Sequence, residues 1–414
     1  MKARSEPNIG GLRAAPPDLV RTLLPRFALI WFLYTACIFT HTFPGRGWPW
    51  FVRFFLLALT LWALWDFGYG HYLDHDPLVS IHVYPWLSMI PCYVIMQLFM
   101  IMNDTPPKWV SLPTGNVLPL PQDTIGRIVY ALDLSASITG SSWMRRRRWD
   151  FAPSRVVNFR PPTRAVFLMR TIIHFAAYRL LMDGIDTYIK QVPFKATLNE
   201  PVSRALPFWD QIFCGLAMGP LICCGMVSVY DLLSIFFVAS GLTSPSSWPP
   251  FFGEPLLTTS LQDFWSNRWH HIFRRSFTYL GDSLLSLFFS ADTTQRFKGI
   301  IRPLRVTLTF VMTTLLHIII MHRYPADPAH PHRYFWDWSI MGFFLIQPVG
   351  LAIDACIAHS GIGSGWRRAF AWGFLAWNTR WWADVWVKKG LPTQKVITWS
   401  PVRGILFGDW WPAH

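Results

Sequence analysis

Apolar residues fall in long runs along this chain, separated by shorter polar segments. Several runs reach the length of about 20 residues that an α-helix needs to cross a bilayer. Backbone polar groups inside a bilayer must be satisfied within the segment itself, so such runs predict helices. The pattern therefore predicts an all-α, polytopic integral membrane protein with about seven to nine transmembrane or re-entrant helices.

The individual membrane segments follow from these runs. They are predicted at Phe27–Thr40 with an extension upstream through Leu23, Phe51–Phe67, Val79–Met102, Ala165–Met182, Leu206–Leu242, Arg305–Met321, Phe335–Ile357 and Phe370–Val387. Pro85 and Pro91 are expected to kink the third segment. The fifth is longer than one span needs, so it is either one tilted helix or two elements broken near Gly219–Pro220. Ser283–Ala291 is too short to cross and is expected to be interfacial or re-entrant.

Polar segments divide the chain into four regions. Residues 1–20 are expected to be a poorly ordered N-terminus, and 21–102 hold the N-terminal membrane helices. A basic polar loop follows at 103–164. The remainder, 165–414, is the expected membrane core. The arginine run Arg145–Arg148 in the loop is expected to contact lipid headgroups, with phosphate binding as the alternative.

Composition and charge agree with a membrane protein. The chain has 414 residues, of which 52% are hydrophobic and 14% charged, whereas a soluble domain has about 25% charged residues. The 24 Trp and 33 Phe fit aromatic belts at the two membrane interfaces. The net charge is +14. Because the basic residues lie in loops between apolar runs, we expect anionic lipid as a partner and no nucleic acid.

No residue pattern indicates a metal site or a disulfide framework. The six cysteines lie inside apolar runs and lack zinc-site spacing, so they are expected to be buried thiols. His71 and His75 stand near Asp74 and Asp76, but this segment lacks a helical pattern and is expected to be a solvated loop.

One stretch, Ser260–Phe277, combines an apolar and a polar face. Ser260 with Asp263 three residues later is typical of a capping box at a helix start. If the helix continues, the stripe Asp263, Asn267, His270 and Arg274 lies opposite a strongly apolar stripe. Spacing alone favours an amphipathic helix lying in the membrane interface.

His317 is a single imidazole deep in the apolar segment Arg305–Met321. Ionisable residues inside membrane spans are candidates for function, although a hydrogen bond to a neighbouring helix is a common alternative. Apolar surroundings disfavour the charged form, so the imidazole is expected to be neutral, as a general base requires.

Two segments resemble a known signature. Ser260-Leu-Gln-Asp-Phe-Trp265 with Arg268-Trp269-His270 is similar to S-L-x-D-F-W-G-R-R-W-H/N of the wax-synthase-like branch of the membrane-bound O-acyltransferases. Trp248–Gly253, WPPFFG, also matches a feature of this branch, and His317 is similar to its downstream catalytic histidine.

The chain departs from the signature at a few places. Ser266 and Asn267 replace Gly-Arg, and His271 stands where Gln is frequent. Thr139–Arg145 takes the place of a loop that often has the sequence R-G-I-G-W-N-W. These differences bear on donor and acceptor preference more than on the reaction.

The resemblance implies transfer of an acyl group from coenzyme A to a hydroxyl. His317 would take the hydroxyl proton, and His270 would orient the thioester or stabilise the oxyanion. The expected coenzyme A contacts are Arg268, Asn267, Arg274 and Arg275. Asp263 would fix the helix. No bound cofactor or metal is expected, since the acyl-CoA is a cosubstrate.

Short fungal members of this branch are often acetyltransferases of terpenoid or meroterpenoid pathways, which this chain resembles in length. We therefore expect acetyl-CoA as donor and an apolar, hydroxylated terpenoid-type acceptor, in a multi-pass protein of the endoplasmic reticulum. A wax ester synthase using fatty acyl-CoA and long-chain alcohols is the alternative within the class.

Other classes of protein are less well matched by the sequence. A membrane transporter would often show internal repeats, which are not visible here. The hypothesis of a haem protein would depend on two lone histidines, His174 and His317, as the iron ligands. A prenyltransferase would need a second acidic motif beside Asp183 and Asp186.

Overall fold

The computed structural model describes residues 13–14, 19–43, 47–69, 71–72, 89–101, 105–137, 139–144, 146–192, 206–269, 273–322, 336–389, 391 and 396–412. The chain forms two compact units, Met1–Ser137 and Ile138–His414. The boundary between them lies within the basic polar loop expected at 103–164.

The first unit is helical with short strands. Its helices are α1 (Leu19–His41), α2 (Trp48–Tyr69), α3 (Met89–Ile101) and α4 (Thr124–Ala136), and its strands are β1 (Arg13–Ala14), β2 (His71–Tyr72) and β3 (Trp109–Ser111). β1 and β2 pair in parallel. α1 packs against both α2 and α4. An ion pair of 2.7 Å between Arg26 and Asp66 joins α1 to α2.

The second unit contains the rest of the helices. They are α5 (Ser154–Asn158), α6 (Arg164–Gln191), α7 (Phe208–Ala239), α8 (Leu261–Asp263), α9 (Arg274–Ser286), α10 (Ala291–Arg296), α11 (Lys298–His322), α12 (Trp338–Leu345), α13 (Gln347–His359), α14 (Ser364–Lys388) and α15 (Pro401–Phe407). A short strand β4 (Arg147–Trp149) precedes them. α7 packs between α6 and α14, and α11 packs against α9, α12 and α13.

A glycine allows α7 and α14 to approach closely. A Cβ atom at Gly215 would lie 2.9 Å from the backbone nitrogen of Arg380 and 2.9 Å from the carbonyl carbon of Thr379. Contacts this short are not tolerated between backbone and side chain, so the crossing requires glycine at this position.

Within the described part of the chain, six helices are long and apolar enough to cross a membrane. They cover Leu23–His41, Trp48–Phe67, Arg164–Gln191, Phe208–Ala239, Lys298–His322 and Trp338–His359. The expectation of a polytopic, all-α membrane protein is thereby confirmed. α7 runs unbroken through Pro220 over 32 residues, which selects the single-helix alternative for this segment.

Two predicted membrane segments are not among these six helices. In Val79–Met102, the described part is the helix α3 (Met89–Ile101), which contains Pro91. Pro85 lies outside the described residues. The predicted segment Phe370–Val387 belongs to the 25-residue α14, which is long enough but is not among the six because its charged residues lower its apolar character.

Candidate active site

The signature segment begins at a capped helix start, as predicted. The Ser260 Oγ atom accepts a hydrogen bond of 2.9 Å from the Asp263 backbone N–H. The Asp263 carboxylate reaches back to the Thr259 N–H at 3.1 Å, one residue before the position that a regular capping box uses. The first bond satisfies a backbone donor that a helix start leaves free, and the second ties the preceding residue to the first turn.

The predicted continuous helix from Ser260 to Phe277 is wrong. After α8, residues Phe264–Arg268 form a π turn that the Trp269 N–H closes on the Phe264 carbonyl at 2.8 Å. Trp269 then has an extended backbone, and helix resumes at Arg274. The wider turn brings residues five apart together, so the rings of Phe264 and Trp269 stack with centroids 5.6 Å apart.

Asp263 is the centre of a polar cluster that holds this turn. Its carboxylate accepts hydrogen bonds from Asn267 Nδ2 at 3.1 Å and from Arg268 Nε at 2.9 Å. Burial disfavours the charged carboxylate, but the hydrogen bonds from Asn267, Thr259 and Arg268 outweigh it and hold the pKa of Asp263 below its usual value. This agrees with the expected structural role of Asp263.

Arg268 connects the turn to the WPPFFG segment. Its Nη1 atom donates to the carbonyl oxygens of Gly253 and Glu254, each at 3.1 Å, and the Gly253 N–H donates to the Arg268 carbonyl at 2.9 Å. The guanidinium therefore has a structural role in this structure, joining the two signature segments. Its expected contact with coenzyme A remains a prediction.

A buried ion pair anchors the start of the signature helix. Arg367 on α14 donates to both oxygens of Asp354 on α13, at 2.9 and 3.0 Å. Asp354 also accepts from the Gln262 N–H at 3.2 Å. The sequence analysis missed this pair. A carboxylate inside the apolar run Phe335–Ile357 was the available signal.

The loop Thr139–Arg145, which departs from its usual sequence, docks on the residue preceding WPPFFG. Ser141 Oγ donates to the Ser247 carbonyl at 2.8 Å, and Ser247 Oγ donates to the Ser142 carbonyl at 3.0 Å. All three serines are buried. Small hydroxyl residues are therefore used here for tight packing between two loops.

His317 lies on α11 with its ring in a defined orientation. Its Nδ1 atom lies 2.8 Å from the Thr313 carbonyl oxygen. A carbonyl oxygen only accepts hydrogen bonds, so Nδ1 carries the proton of the neutral ring. The other nitrogen, Nε2, then has a free lone pair, which is the state that a general base needs.

Aromatic side chains enclose the His317 ring. The Phe344 ring on α12 has its centroid 4.3 Å away, and the Trp382 ring on α14 lies 5.4 Å away at nearly a right angle. Trp265 of the π turn packs against Phe344 at 6.4 Å. The structure therefore brings the signature segment and His317 to one aromatic cluster, which the sequence did not indicate.

Gln347 links the turn to this cluster through hydrogen bonds. Its Oε1 atom accepts from Trp265 Nε1 at 3.0 Å, and its Nε2 atom donates to the Phe343 carbonyl at 2.8 Å. The side chain is fully buried. A buried amide with both ends satisfied fixes the orientation of Trp265 relative to α12 and α13.

The remaining predicted site residues are placed as follows. His270 lies outside the described residues, so its position relative to His317 stays a prediction. Asn267 and Arg274 are exposed, and Arg274 Nη1 donates to the Ser266 carbonyl at 3.3 Å. The guanidinium of Arg275 lies over the Phe151 ring, 4.0 Å from its centroid.

The residues that a haem protein or a prenyltransferase would need for its site are bonded to other residues of the chain. His174 Nδ1 lies 2.7 Å from an Asp231 carboxylate oxygen. Asp183 accepts from Ser400 Oγ and from the Val402 N–H, and Asp186 pairs with Lys190 at 2.7 Å. Among the described residues there is no group of three side chains suited to hold a metal ion. The segment His71–Asp76 lies outside the described side chains.

Comparison with known proteins identifies the same part of the chain. A family model described as "Membrane bound O-acyl transferase family" matches residues 248–346, which include both signature segments, His317 and Phe344. No solved structure matches the chain. With the helical membrane fold, the match defines the class of the protein as an acyl-CoA-dependent O-acyltransferase, as the resemblance implied.

Individual relatives are fungal acetyltransferases. The chain is 28% identical to acetyltransferase ataH of Aspergillus terreus over 242 residues, which is 52% of this chain and 76% of that protein. It is 23% identical to acetyltransferase ple2 of Rhodocybe pseudopiperita over 308 residues, 69% and 76% of the two chains. It is also 31% identical to acetyltransferase aurG of Calcarisporium arbuscula over 165 residues, 38% and 35% of the two chains.

Proposed function

We propose that the protein transfers the acetyl group of acetyl-CoA to a hydroxyl of an apolar terpenoid or meroterpenoid. The observation that carries the proposal is the fixed tautomer of His317 beside the signature turn. The names of the relatives, all acetyltransferases, support acetyl as the group transferred.

In this proposal His317 acts as the general base. Its Nε2 atom takes the proton of the acceptor hydroxyl while the oxygen attacks the thioester carbonyl carbon. The C–S bond then breaks, and the imidazolium returns the proton to the coenzyme A thiolate. His270 orients the thioester or stabilises the negative charge that develops on its oxygen.

Basic residues after the turn are the proposed contacts for coenzyme A. Arg274 is exposed, and its hydrogen bond within the described part of the chain is to a backbone carbonyl, so its charge is available to a phosphate. Asn267 is likewise exposed, whereas Arg275 is stacked on Phe151. The guanidinium of Arg268 already bonds Asp263 and two carbonyls, so we assign it the role of holding the turn.

A membrane location suits these two substrates. An apolar acceptor partitions into the bilayer, while the coenzyme stays in water, and the base His317 lies on α11, a helix of spanning length. Six helices of spanning length support a multi-pass protein. We propose the endoplasmic reticulum as its location, with membrane lipid as its surroundings.

The proposal is tested in yeast microsomes that contain the expressed chain. Acetyl-CoA with a labelled acetyl group is supplied with a panel of hydroxylated terpenoids, and palmitoyl-CoA with long-chain alcohols is run in parallel. We expect a labelled acetyl ester by mass spectrometry, absent from microsomes without the chain. A fatty ester instead would assign the protein as a wax ester synthase. No ester from either donor would contradict the proposed substrates.

A further inference from the structure

Among the described residues, no carboxylate forms an ion pair with His317 that could balance a protonated ring. Among the residues that the structure describes, the hydrogen bond of the imidazole is to the Thr313 carbonyl, and no carboxylate pairs with it. Its other neighbours are aromatic rings on α12 and α14. When the ring takes a proton from the acceptor, its positive charge has to be stabilised by these groups.

An aromatic ring can supply that stabilisation. The face of a benzene ring carries partial negative charge and attracts a cation placed over it within about 6 Å of the centroid. The same ring holds a neutral imidazole less strongly, because a full positive charge interacts more strongly with the ring quadrupole than a neutral ring does. A ring in this position therefore favours the protonated transition state over the resting base.

Phe344 has the required geometry. Its ring centroid lies 4.3 Å from that of His317, and the two planes are inclined by 32°, so the imidazole lies over a face of the phenyl ring. Phe344 is itself held by Trp382, at 5.7 Å, and by Phe343, at 4.8 Å. Its side chain is buried, with 3% exposed. The ring is therefore fixed in its place against the base.

We propose that Phe344 is a positioning residue which stabilises the imidazolium form of His317 through its ring face. The inference rests on the proposed function, since it needs His317 to act as the base. Phe343 provides a matched control in the chain. It precedes Phe344 on α12, is also buried and stacks on Trp382 with centroids 5.7 Å apart. Within the described part of the chain its ring contacts are with Trp265, Phe344 and Trp382, and not with His317.

The test is a series of fluorinated phenylalanines, with one, two or three ring fluorines, placed at position 344 by nonsense suppression in yeast. Fluorine withdraws charge from the ring face with little change of shape, so the variants retain packing. We expect kcat for acetyl transfer to fall stepwise, by about 2- to 30-fold over the series, with the KM for acetyl-CoA unchanged. The same series at position 343 should leave kcat within about twofold.

The outcomes distinguish failure of the inference from failure of the proposed function. A flat kcat series at position 344, with activity that still requires His317, would overturn the inference and leave the proposed function intact. A series that raises KM at constant kcat would also overturn it, since Phe344 would then contact a substrate. Full activity of the His317→Ala variant would show that His317 is not the general base. That result would overturn both the proposed mechanism and the inference. Immunoblots of the microsomes normalise each rate to the amount of protein.

Discussion

Asp263 illustrates how much a single side chain of the signature contributes. Its two oxygens accept hydrogen bonds from Thr259, Asn267 and Arg268, and through Arg268 it reaches the carbonyls of the WPPFFG segment. The sequence indicated its role, because an acid three residues after Ser260 is typical of a helix start. Its link to Arg268 could not be predicted, since residues five positions apart do not face each other on a regular α-helix.

Replacing Asp263 by Asn should destabilise the protein. The variant loses charge-assisted bonds, and we expect the free energy of unfolding to fall by about 1–3 kcal/mol. Because the pKa of Asp263 is lowered in the folded protein, its contribution is present at neutral pH and is lost as the pH falls through that lowered pKa.

Thermal unfolding in detergent from about pH 6 to about pH 3 measures this effect. The difference in stability between wild type and Asp263→Asn should be largest at the upper end and shrink below the ordinary carboxyl pKa of about 4. Asp292→Asn, an exposed residue of α10, is the control and should change little. A difference that stays constant over the whole range would contradict the assignment.

We expect Arg274 to affect coenzyme A binding and Arg268 to affect the stability of the protein. Arg274→Gln removes an exposed charge, so we expect the KM for acetyl-CoA to rise about 3- to 10-fold, at an unchanged kcat and unfolding temperature. Arg268→Gln breaks the bonds to Asp263, Gly253 and Glu254, so it should lower the unfolding temperature. Steady-state kinetics and thermal unfolding of both variants test this division. An unchanged KM in Arg274→Gln would remove this residue from the coenzyme site.

At the scale of elements, the π turn is the feature that sequence pattern could not supply. The apolar spacing of Leu261, Phe264, Trp265 and Trp269 fits a regular helix equally well. The contacts at the end of this helix are tertiary. They are the hydrogen bond from Arg268 to the Gly253 carbonyl and the hydrogen bond from Trp265 to Gln347. Helix caps depend on neighbours in sequence and were predictable, whereas these contacts depend on residues of distant segments.

The crossing of α7 and α14 provides a test of helix packing. Gly215→Ala should lower the free energy of unfolding by about 1–3 kcal/mol, because the added Cβ would lie against the backbone of Thr379 and Arg380. Gly225 lies in the same helix with nothing within 4 Å of an added Cβ. There alanine should be neutral or stabilise by up to about 1 kcal/mol, since it favours helix more than glycine.

Thermal unfolding of the two glycine variants in one detergent gives the comparison. The expected order of stability is Gly225→Ala at or above wild type, and Gly215→Ala below it. Equal effects of the two substitutions would show that the close approach of α7 and α14 does not control stability.

For the whole molecule, apolar runs predicted most of the architecture because a bilayer leaves so few options for the backbone. The first two runs, the long run forming α7 and the run holding His317 all became helices of spanning length. The structure departs from the runs where charge interrupts them, as in α14, and where polar segments fold, as in α4 and β4. Those elements depend on packing that hydropathy does not record.

The candidate site was predictable only in its parts. His317 stood out as an imidazole in an apolar helix, and the signature around Asp263 stood out by its composition. Phe344 and Trp382 could not be identified, because aromatic residues are frequent throughout the membrane segments. Only a fold that brings α11, α12 and α14 together distinguishes these two rings from the others.

The most direct test of the account is the rate of acetyl transfer by His317→Ala beside His359→Ala in the same microsomes. His359 makes the same kind of bond, from its Nδ1 to the Ala355 carbonyl four residues before it, but it is exposed near the end of α13. The account predicts that ester formation is abolished in His317→Ala and unchanged in His359→Ala, at equal amounts of protein. Acetyl ester formed at the wild-type rate by His317→Ala would show that the base lies elsewhere.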